Sequence, residues 1–253
     1  MRLYSSPEIY DVAFGWDLRM ELDFVERCLS EHTPGVVRRI LEPACGTGRV
    51  IAALASRGYE VAGYDLSPEM VAYAAEKLKP FGGRVLRGDM TSFRPPGVHD
   101  AAINLVNSIG YLLEDEALAS HLEGVAGALR PGGVYLAQFN YGGEPPELAA
   151  FGPWGNRAGN LSTTLTWRVV REDPAAGRSY HECRVTARSG KEHRTIEESH
   201  VLRYWTQEDF DRIVAESPFE LVAVYYDRFE EHPLSEPRTG ELGNLYHVLR
   251  RRD

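Results

Sequence analysis

The sequence predicts an α/β fold: a parallel sheet covered by helices on both faces, with an antiparallel β meander set into it. Three observations predict it. Through the first 140 residues, apolar runs alternate with amphipathic stretches, the pattern of strands joined by crossover helices. Beyond Asn140, strand-like runs follow one another with only turn-grade segments between them. The chain of 253 residues, 43% hydrophobic and 26% charged, can bury a full core as one domain with a sizeable insertion.

Taken in order, the N-terminal "LYSSPEIYDVAFGW" carries Tyr4, Tyr10, Phe14 and Trp16. It reads either as a helix packing aromatics on the sheet or as a lid, within residues 1–30, that closes over a site and excludes water. Tyr10 is the preferred lid residue. Strands are expected at residues 39–42, 60–64, 84–87, 101–106 and 134–139, with helices at 50–57, 68–78 and 116–129 between them. "LRPGGVYLAQF" reads as a helix end, a Pro-Gly-Gly turn and a strand. "YGGEPPELAAFGPWGN" reads as an irregular loop. Residues 163–171, 180–187 and 195–205 then form the meander, within an insertion spanning 155–205. "TQEDFDRIVAES" starts a helix with Thr206 as N-cap and Asp209 at its third position. "FELVAVYYD" and "LYHVLRRR" close the single domain, residues 1–253, as two strands.

Composition excludes several functions. A formal net charge of −9 argues against nucleic acid as the main partner, because phosphate binding needs a basic face. No apolar run reaches membrane-spanning length, and the N-terminus lacks the apolar core of a signal peptide. Cys28, Cys45 and Cys183 are odd in number and widely spaced, which fits a reducing, cytoplasmic setting and no structural zinc or other metal.

The chemistry-bearing stretch is "EPACGTGRV", residues 42–50, between the first strand and its helix. Gly46 and Gly48 permit positive φ and remove side chains where a ligand or a neighbouring backbone comes close. Alone, such a turn is most simply a tight connection. Asp65 ends the second strand, where an acid accepts hydrogen bonds from the two ribose hydroxyls of a nucleoside; its plainer reading is a helix N-cap ahead of "SPEM". Asp89 follows the third strand and suits an adenine amine, or else is a turn aspartate. The three fall in order at the ends of consecutive strands and together favour a nucleoside site. Ile51 occupies the position of the third glycine of a dinucleotide turn, which weakens a nicotinamide reading. No Gly-Lys-Ser/Thr follows, which excludes a P-loop.

With these residues in hand, the chain resembles the class I S-adenosylmethionine-dependent methyltransferases, from about Ile40 to Phe139 and again in the C-terminal strands. "ILEPACGTGRV" resembles the family's glycine motif, "GYDLSPEMVAYA" its ribose-binding turn, "GDM" its adenine turn, and "HDAAINLVNSIGYL" the strand and loop beside the methyl-transfer site. The resemblance implies a Rossmann-like seven-stranded sheet whose last strand is antiparallel, and S-adenosyl-L-methionine as cofactor. It implies cofactor contacts from Glu42, Ala44, Gly46, Gly48 and Arg49, then Asp65, Leu66 and Met70, then Asp89 and Met90, and lastly Asn107. Cys45 would be a small buried residue beside them.

The same resemblance extends to the substrate side. "NLVNSIGY" contains no Asn-Pro-Pro-Tyr or Asp-Pro-Pro-Tyr, which the family uses for planar amines, and no Pro-Cys nucleophile. The expected partner is a small-molecule acceptor, amine or hydroxyl, without nucleic acid or membrane, the protein being a monomer or homodimer. A neutral amine attacks with little help, whereas a hydroxyl needs a base. The N-terminal "YD" segment resembles that of small-molecule N-methyltransferases, the amino-sugar and glycine types among them. In that subgroup a sheet covers the acceptor, and "ESHVLRYWTQEDF" resembles its substrate-side strand. His200, Arg203 and Tyr204 are the contact candidates. Alternation places His200 and Tyr204 on one face, with Arg203 pointing away. Tyr10, His200 and Tyr204 are thus the candidate catalytic residues; a solvated surface histidine is the alternative for His200, and His181 and Trp167 are weaker candidates. Two other functions stay open: a non-catalytic S-adenosylmethionine-binding module and a nicotinamide-dependent oxidoreductase.

Overall fold

Strands and helices interleave from residue 39 to residue 87 in the computed structural model, which describes residues 2–139, 141, 150–226, 231–234 and 245–253. After a 3-10 turn at Leu3–Ser5 come α1 (Pro7–Ala13) and α2 (Arg19–His32). The main fold follows as β1 (Arg39–Pro43), α3 (Arg49–Ser56), β2 (Glu60–Asp65), α4 (Pro68–Leu78), β3 (Arg84–Arg87), β4 (His99–Asn104), α5 (Asp115–Ala128) and β5 (Leu129–Gln138). A second sheet contains β6 (Ala150–Ala158), β7 (Leu161–Asp173), β8 (Arg178–Ser189) and β9 (Glu192–Arg203). The chain returns through α6 (Gln207–Glu216), β10 (Phe219–Tyr225) and β11 (Tyr246–Arg251).

The main sheet has seven strands in the order β10-β11-β5-β4-β1-β2-β3. β1 to β5 are parallel, and β11 runs antiparallel to both β5 and β10. The strand order reverses between β1 and β4, so a crevice opens at their C-terminal ends, where α/β folds bind ligands. One face buries Leu22, Val25, Cys28 and Leu29 of α2 and Val50, Ile51 and Leu54 of α3; the other buries Leu118, Leu122 and Val125 of α5 and Phe210 and Ile213 of α6. Residues 19–32 therefore belong to the main core, which leaves the N-terminal turn and α1 as the segment over the cavity.

Helix starts follow local chemistry. Ser67 caps α4 by accepting from the Met70 N–H at 3.3 Å, ahead of Pro68 at the first helical position. The cap of α4 is thus Ser67 and not Asp65. Thr206 Oγ1 accepts from the Asp209 N–H at 3.1 Å, as the sequence predicts.

Three expectations need correction. The Pro-Gly-Gly of "LRPGGVYL" lies inside β5, because Leu129 already pairs with His99 and a register irregularity absorbs the interruption. β4 stops at Asn104, two residues early, since Val106 and Asn107 adopt left-handed backbone. The meander has four strands: residues 150–156 of the expected loop are strand, while 142–149 lie outside the described residues. Gly152, Pro153 and Gly155 hid β6 from a pattern reading. β6 is an edge strand with a register shift between Phe151 and Trp154, the setting in which Pro and Gly are tolerated. The Gly155 backbone approaches so closely that an added Cβ would lie 3.0 Å from the Thr163 carbonyl oxygen.

Candidate active site

A cavity of about 1640 Å³ opens at the crevice, between the C-terminal ends of β1 to β4 and the second sheet. Its floor starts with the turn after β1. Ala44, Gly46 and Gly48 all have left-handed φ, of 50°, 54° and 69°. The two glycines do different work. Gly46 lines the cavity, and a Cβ there would meet only the Tyr10 ring, at 3.8 Å. Gly48 faces away: its Cβ would lie 3.0 Å from the Ala74 Cβ on α4, so Gly48 allows α3 and α4 to pack. Ile51, at the third-glycine position, is fully buried, and Gly63 on β2 supplies the missing room, since a Cβ there would sit 2.9 Å from Ile51 Cδ1.

Asp65 is the hub of the floor. Its Oδ2 accepts from the Gly46 N–H at 2.8 Å and its Oδ1 from the Ser67 N–H at 2.9 Å. Burial pushes its carboxyl above the ordinary aspartate range, and the N–H groups of Ser67, Gly46 and Leu66 oppose that shift. With these N–H groups on it, the carboxylate still keeps acceptor capacity for a hydroxyl.

Asp89 Oδ1 accepts from both the N–H and Oγ1 of Thr91, at 2.9 and 2.8 Å; it shapes its own turn while still lining the cavity beside Met90. Leu66 is exposed at the lip. Beyond β4, Val106 and Asn107 hold φ of 59° and 54°, and the Val106 N–H donates to Gln138 Oε1 at 2.6 Å. Left-handed backbone at a β-branched residue is strained, and such strain concentrates at functional sites.

Glu42, Arg49 and Met70 stand behind the wall. Met70 is fully buried under α4 and belongs to packing. Glu42 is buried with Oε2 lacking a hydrogen-bond partner; burial pushes its carboxyl well up, opposed by the Arg49 charge. Arg49 lies 4.3 Å over the Trp16 ring. Cys45 is buried, and burial pushes its thiol well up, as expected of an inert residue.

The second sheet supplies the roof, and its register explains the order of side chains. Three cross-strand rungs share one face: Val169/His181/His200, Trp167/Cys183/Glu198 and Leu165/Val185/Ile196. The last rung packs with Leu3, Ile9, Ala13 and Phe14 of the N-terminal segment in a core of its own. Toward the open end the face turns polar. His200 stacks on Trp167 at 4.8 Å between centroids, and its Nδ1 lies 3.0 Å from the Tyr111 hydroxyl. It is no solvated surface residue, being 8% exposed. Burial lowers its pKa, with Glu198 opposing. Trp167 Nε1 donates to His181 Nδ1 at 2.9 Å, and burial pushes that imidazole down to about 4.

Tyr10 stacks on Phe14 at 4.4 Å and faces the glycine turn. Tyr204 lines the cavity, but β9 ends at Arg203, so alternation does not extend to it. Arg203 also lines the cavity, with its guanidinium on Asp115 Oδ1 at 2.6 Å. Sequence reasoning passed over Tyr111 and Glu198. The alternation that singled out His200 also places Glu198 on its face; Tyr111 carries no local signal.

Residues 40–133 match the family model described as "Methyltransferase domain". The chain is 27% identical over 214 residues to dTDP-3-amino-3,4,6-trideoxy-alpha-D-glucopyranose N,N-dimethyltransferase of Streptomyces venezuelae, covering 81% of this chain and 85% of that one. The sugar N-methyltransferase KedS8 from a Streptoalloteichus species superposes with a TM-score of 0.73 at 27% identity, over 95% of this chain and 90% of that one. CalS10 from Micromonospora echinaspora, an amino pentose methyltransferase solved with its S-adenosylmethionine bound, has the same fold at a TM-score of 0.70, 22% identity and coverage of 94% of this chain. A seven-stranded sheet with an antiparallel last strand, a glycine turn and an acid after β2 define a nucleoside-binding transferase. The chain is a class I S-adenosylmethionine-dependent methyltransferase. Among the described residues no helix is long and apolar enough to cross a membrane.

Proposed function

We propose that the protein transfers a methyl group from S-adenosylmethionine to the nitrogen of a small-molecule amine held beneath the second sheet. The observation that carries this reading is the meeting of two walls in one cavity. Gly46, Asp65, Asp89, Met90, Asn107 and Tyr111 lie on one side, and Tyr4, Glu198 and His200 lie on the other. The relatives whose printed names specify N-methyl transfer to sugars support the choice of nitrogen.

When bound, the cofactor supplies an electrophilic methyl group on a sulfonium sulfur. In this reading Asp65 accepts from the ribose hydroxyls through its remaining acceptor capacity. Asp89 and Met90 hold the adenine, and Gly46 leaves room for the methionine part under Tyr10. Ala44, Leu66 and Asn107 complete the wall, while Glu42 and Arg49 set the charge behind it and Gly48 and Met70 the packing. The protein contributes alignment and exclusion of water, which suffice for a neutral amine. Residues up to Trp16 act as a lid with Tyr10 at its centre, and the second sheet is the acceptor cover. Tyr204 contributes at the open end.

The test is a methyl-transfer assay with carbon-13-methyl cofactor against amino sugars, glycine and sarcosine, alongside their hydroxyl counterparts. Label on nitrogen of one acceptor group supports the reading. Label on oxygen, or none with any amine, contradicts it.

A further inference from the structure

Tyr4 and Tyr111 come from opposite walls, 107 residues apart in the chain, and their hydroxyls meet at 2.7 Å. Tyr4 sits on the N-terminal turn, whose carbonyl accepts from Ser67 Oγ at 2.8 Å, and Tyr111 sits on the loop after β4. The Tyr111 hydroxyl continues to His200 Nδ1 at 3.0 Å. His200 is fixed by the Trp167 stack and by an edge-on contact with Tyr4 at 5.8 Å. Its Nε2 is buried without a hydrogen-bond partner and lies 3.9 Å from Glu198 Oε2. That carboxylate is held by the Leu3 N–H at 2.9 Å. Four side chains from three separate segments thus form one line, from the Tyr4 hydroxyl to a half-buried carboxylate.

The line has a direction. Burial pushes the Tyr111 phenol up to about 12 and the Tyr4 phenol well above its ordinary value, so each hydroxyl gives one hydrogen bond and accepts another. With Nε2–H turned toward Glu198, His200 Nδ1 accepts from Tyr111 and the Tyr111 oxygen accepts from Tyr4. The open acceptor at the cavity wall is then the Tyr4 oxygen. The titratable groups facing His200 are Glu198 on its own strand, His181 and Cys183 on β8, Tyr4 on the N-terminal turn and Tyr111 on the loop; β7 presents the uncharged Trp167. Of these, only Glu198 favours the imidazolium.

We propose that Tyr4, Tyr111 and His200, backed by Glu198, form a relay that removes a proton from the amine acceptor inside the closed site. The proposal rests on the amine reading above. At neutral pH an aliphatic amine is mostly ammonium and lacks the lone pair that attacks. Its N–H bond breaks with the electron pair left on nitrogen, and the proton passes to the Tyr4 oxygen. The Tyr4 proton moves to the Tyr111 oxygen, and the Tyr111 proton moves to His200 Nδ1. Both phenols end neutral, and His200 ends as imidazolium beside Glu198. The amine lone pair then forms the N–C bond while the C–S pair stays on sulfur, and His200 returns its proton to water when the site opens. Tyr4 touches the acceptor and is catalytic; Tyr111, His200 and Glu198 are positioning residues.

Two measurements on the full chain test this. The first is nitrogen-15 NMR of labelled histidines with the protein saturated in S-adenosylhomocysteine, which needs no acceptor. His200 should be the neutral Nε2–H tautomer, Tyr111→Phe should abolish that preference, and Glu198→Gln should lower its titration midpoint. A His200 that carries its proton on Nδ1, donating to Tyr111, overturns the relay. The second is the pH profile of kcat/KM with dTDP-3-amino-3,4,6-trideoxy-α-D-glucopyranose as probe amine. Tyr111→Phe and His200→Gln should lose about 100-fold or more at neutral pH and recover most of it once the amine is deprotonated in solution. The same loss at every pH, or no loss, overturns the proposal; thermal melts of both variants identify any that fail to fold, and Tyr4→Phe then replaces them. If the wild-type chain methylates no amine, the amine reading fails, and the tautomer decides the relay by itself.

Discussion

Gly46 and Gly48 sit two residues apart in the same turn, yet one opens the cavity and the other lets two helices touch. The sequence shows two glycines of equal standing, and only the position of Ala74 separates them. Gly48→Ala should therefore destabilise the fold by about 1–3 kcal/mol through a strained φ and a 3.0 Å contact, with cofactor affinity per folded molecule nearly unchanged. Denaturant unfolding together with calorimetry reads both; a large loss of affinity at wild-type stability would return Gly48 to the site. The place of Asp65 was legible because it ends a strand at the cavity floor, and the Ser67 cap removes its plainer reading. Asp89 was legible in place only, since its turn hydrogen bonds depend on Thr91. Met70 fell inside a matching motif but points into the core, a distinction of helix face that motif spacing does not carry. Tyr111 acquires its meaning from partners 89 or more residues away along the chain, which no local pattern encodes, whereas Glu198 shares a strand face with His200 and was open to the same alternation.

Elements with a clean period were read well, and those that bend were not. β1, β2, β3 and α4 fall within a residue of expectation because short apolar stretches between turn signals and a serine–proline start mark them. β6 escaped because Gly and Pro interrupt it, and the start of β5 because a bulge lets Pro-Gly-Gly stay in the strand. The N-terminal segment is the element whose behaviour matters most. It buries Leu3, Ile9, Ala13 and Phe14 against the second sheet and sets Tyr4 and Tyr10 on the cavity. α1 has only seven residues, too short to hold helix without its docking face. The proposed lid would draw on low local stability. Hydrogen exchange over residues 4–18 should slow when S-adenosylhomocysteine binds, and Tyr10→Ala should lower turnover more than it lowers the melting temperature. Equal protection with and without ligand would make the segment fixed core, the other reading its aromatics allow.

At the scale of the whole molecule, the reversal of strand order between β1 and β4 makes the crevice, and the inserted sheet roofs it. Strand–helix alternation foretold the parallel sheet, while the seven-strand order came from family resemblance. Both sheets hold buried neutral histidines, which makes stability depend on pH. Burial pushes His121 and His181 down to about 4 and His247 to about 3, from an ordinary value of 6.5. Between those limits the unfolded chain binds more protons, so stability is complete above pH 6.5 and falls as pH drops toward 4, by up to about 1.4 kcal/mol per pH unit for each histidine. Denaturant melts from pH 7.5 to 5 should show that slope, and His247→Phe should reduce it; a flat profile would mean these rings are not neutral in the fold. The central claim, that the floor built on Gly46 and Asp65 holds S-adenosylmethionine, is tested most directly by calorimetric titration with S-adenosylhomocysteine and, in parallel, NAD. Saturable one-to-one binding of the former is expected, weakened about 10- to 100-fold in Asp65→Ala through the lost charged hydrogen bonds, with no response to NAD. Tight NAD binding with no response to S-adenosylhomocysteine would contradict it.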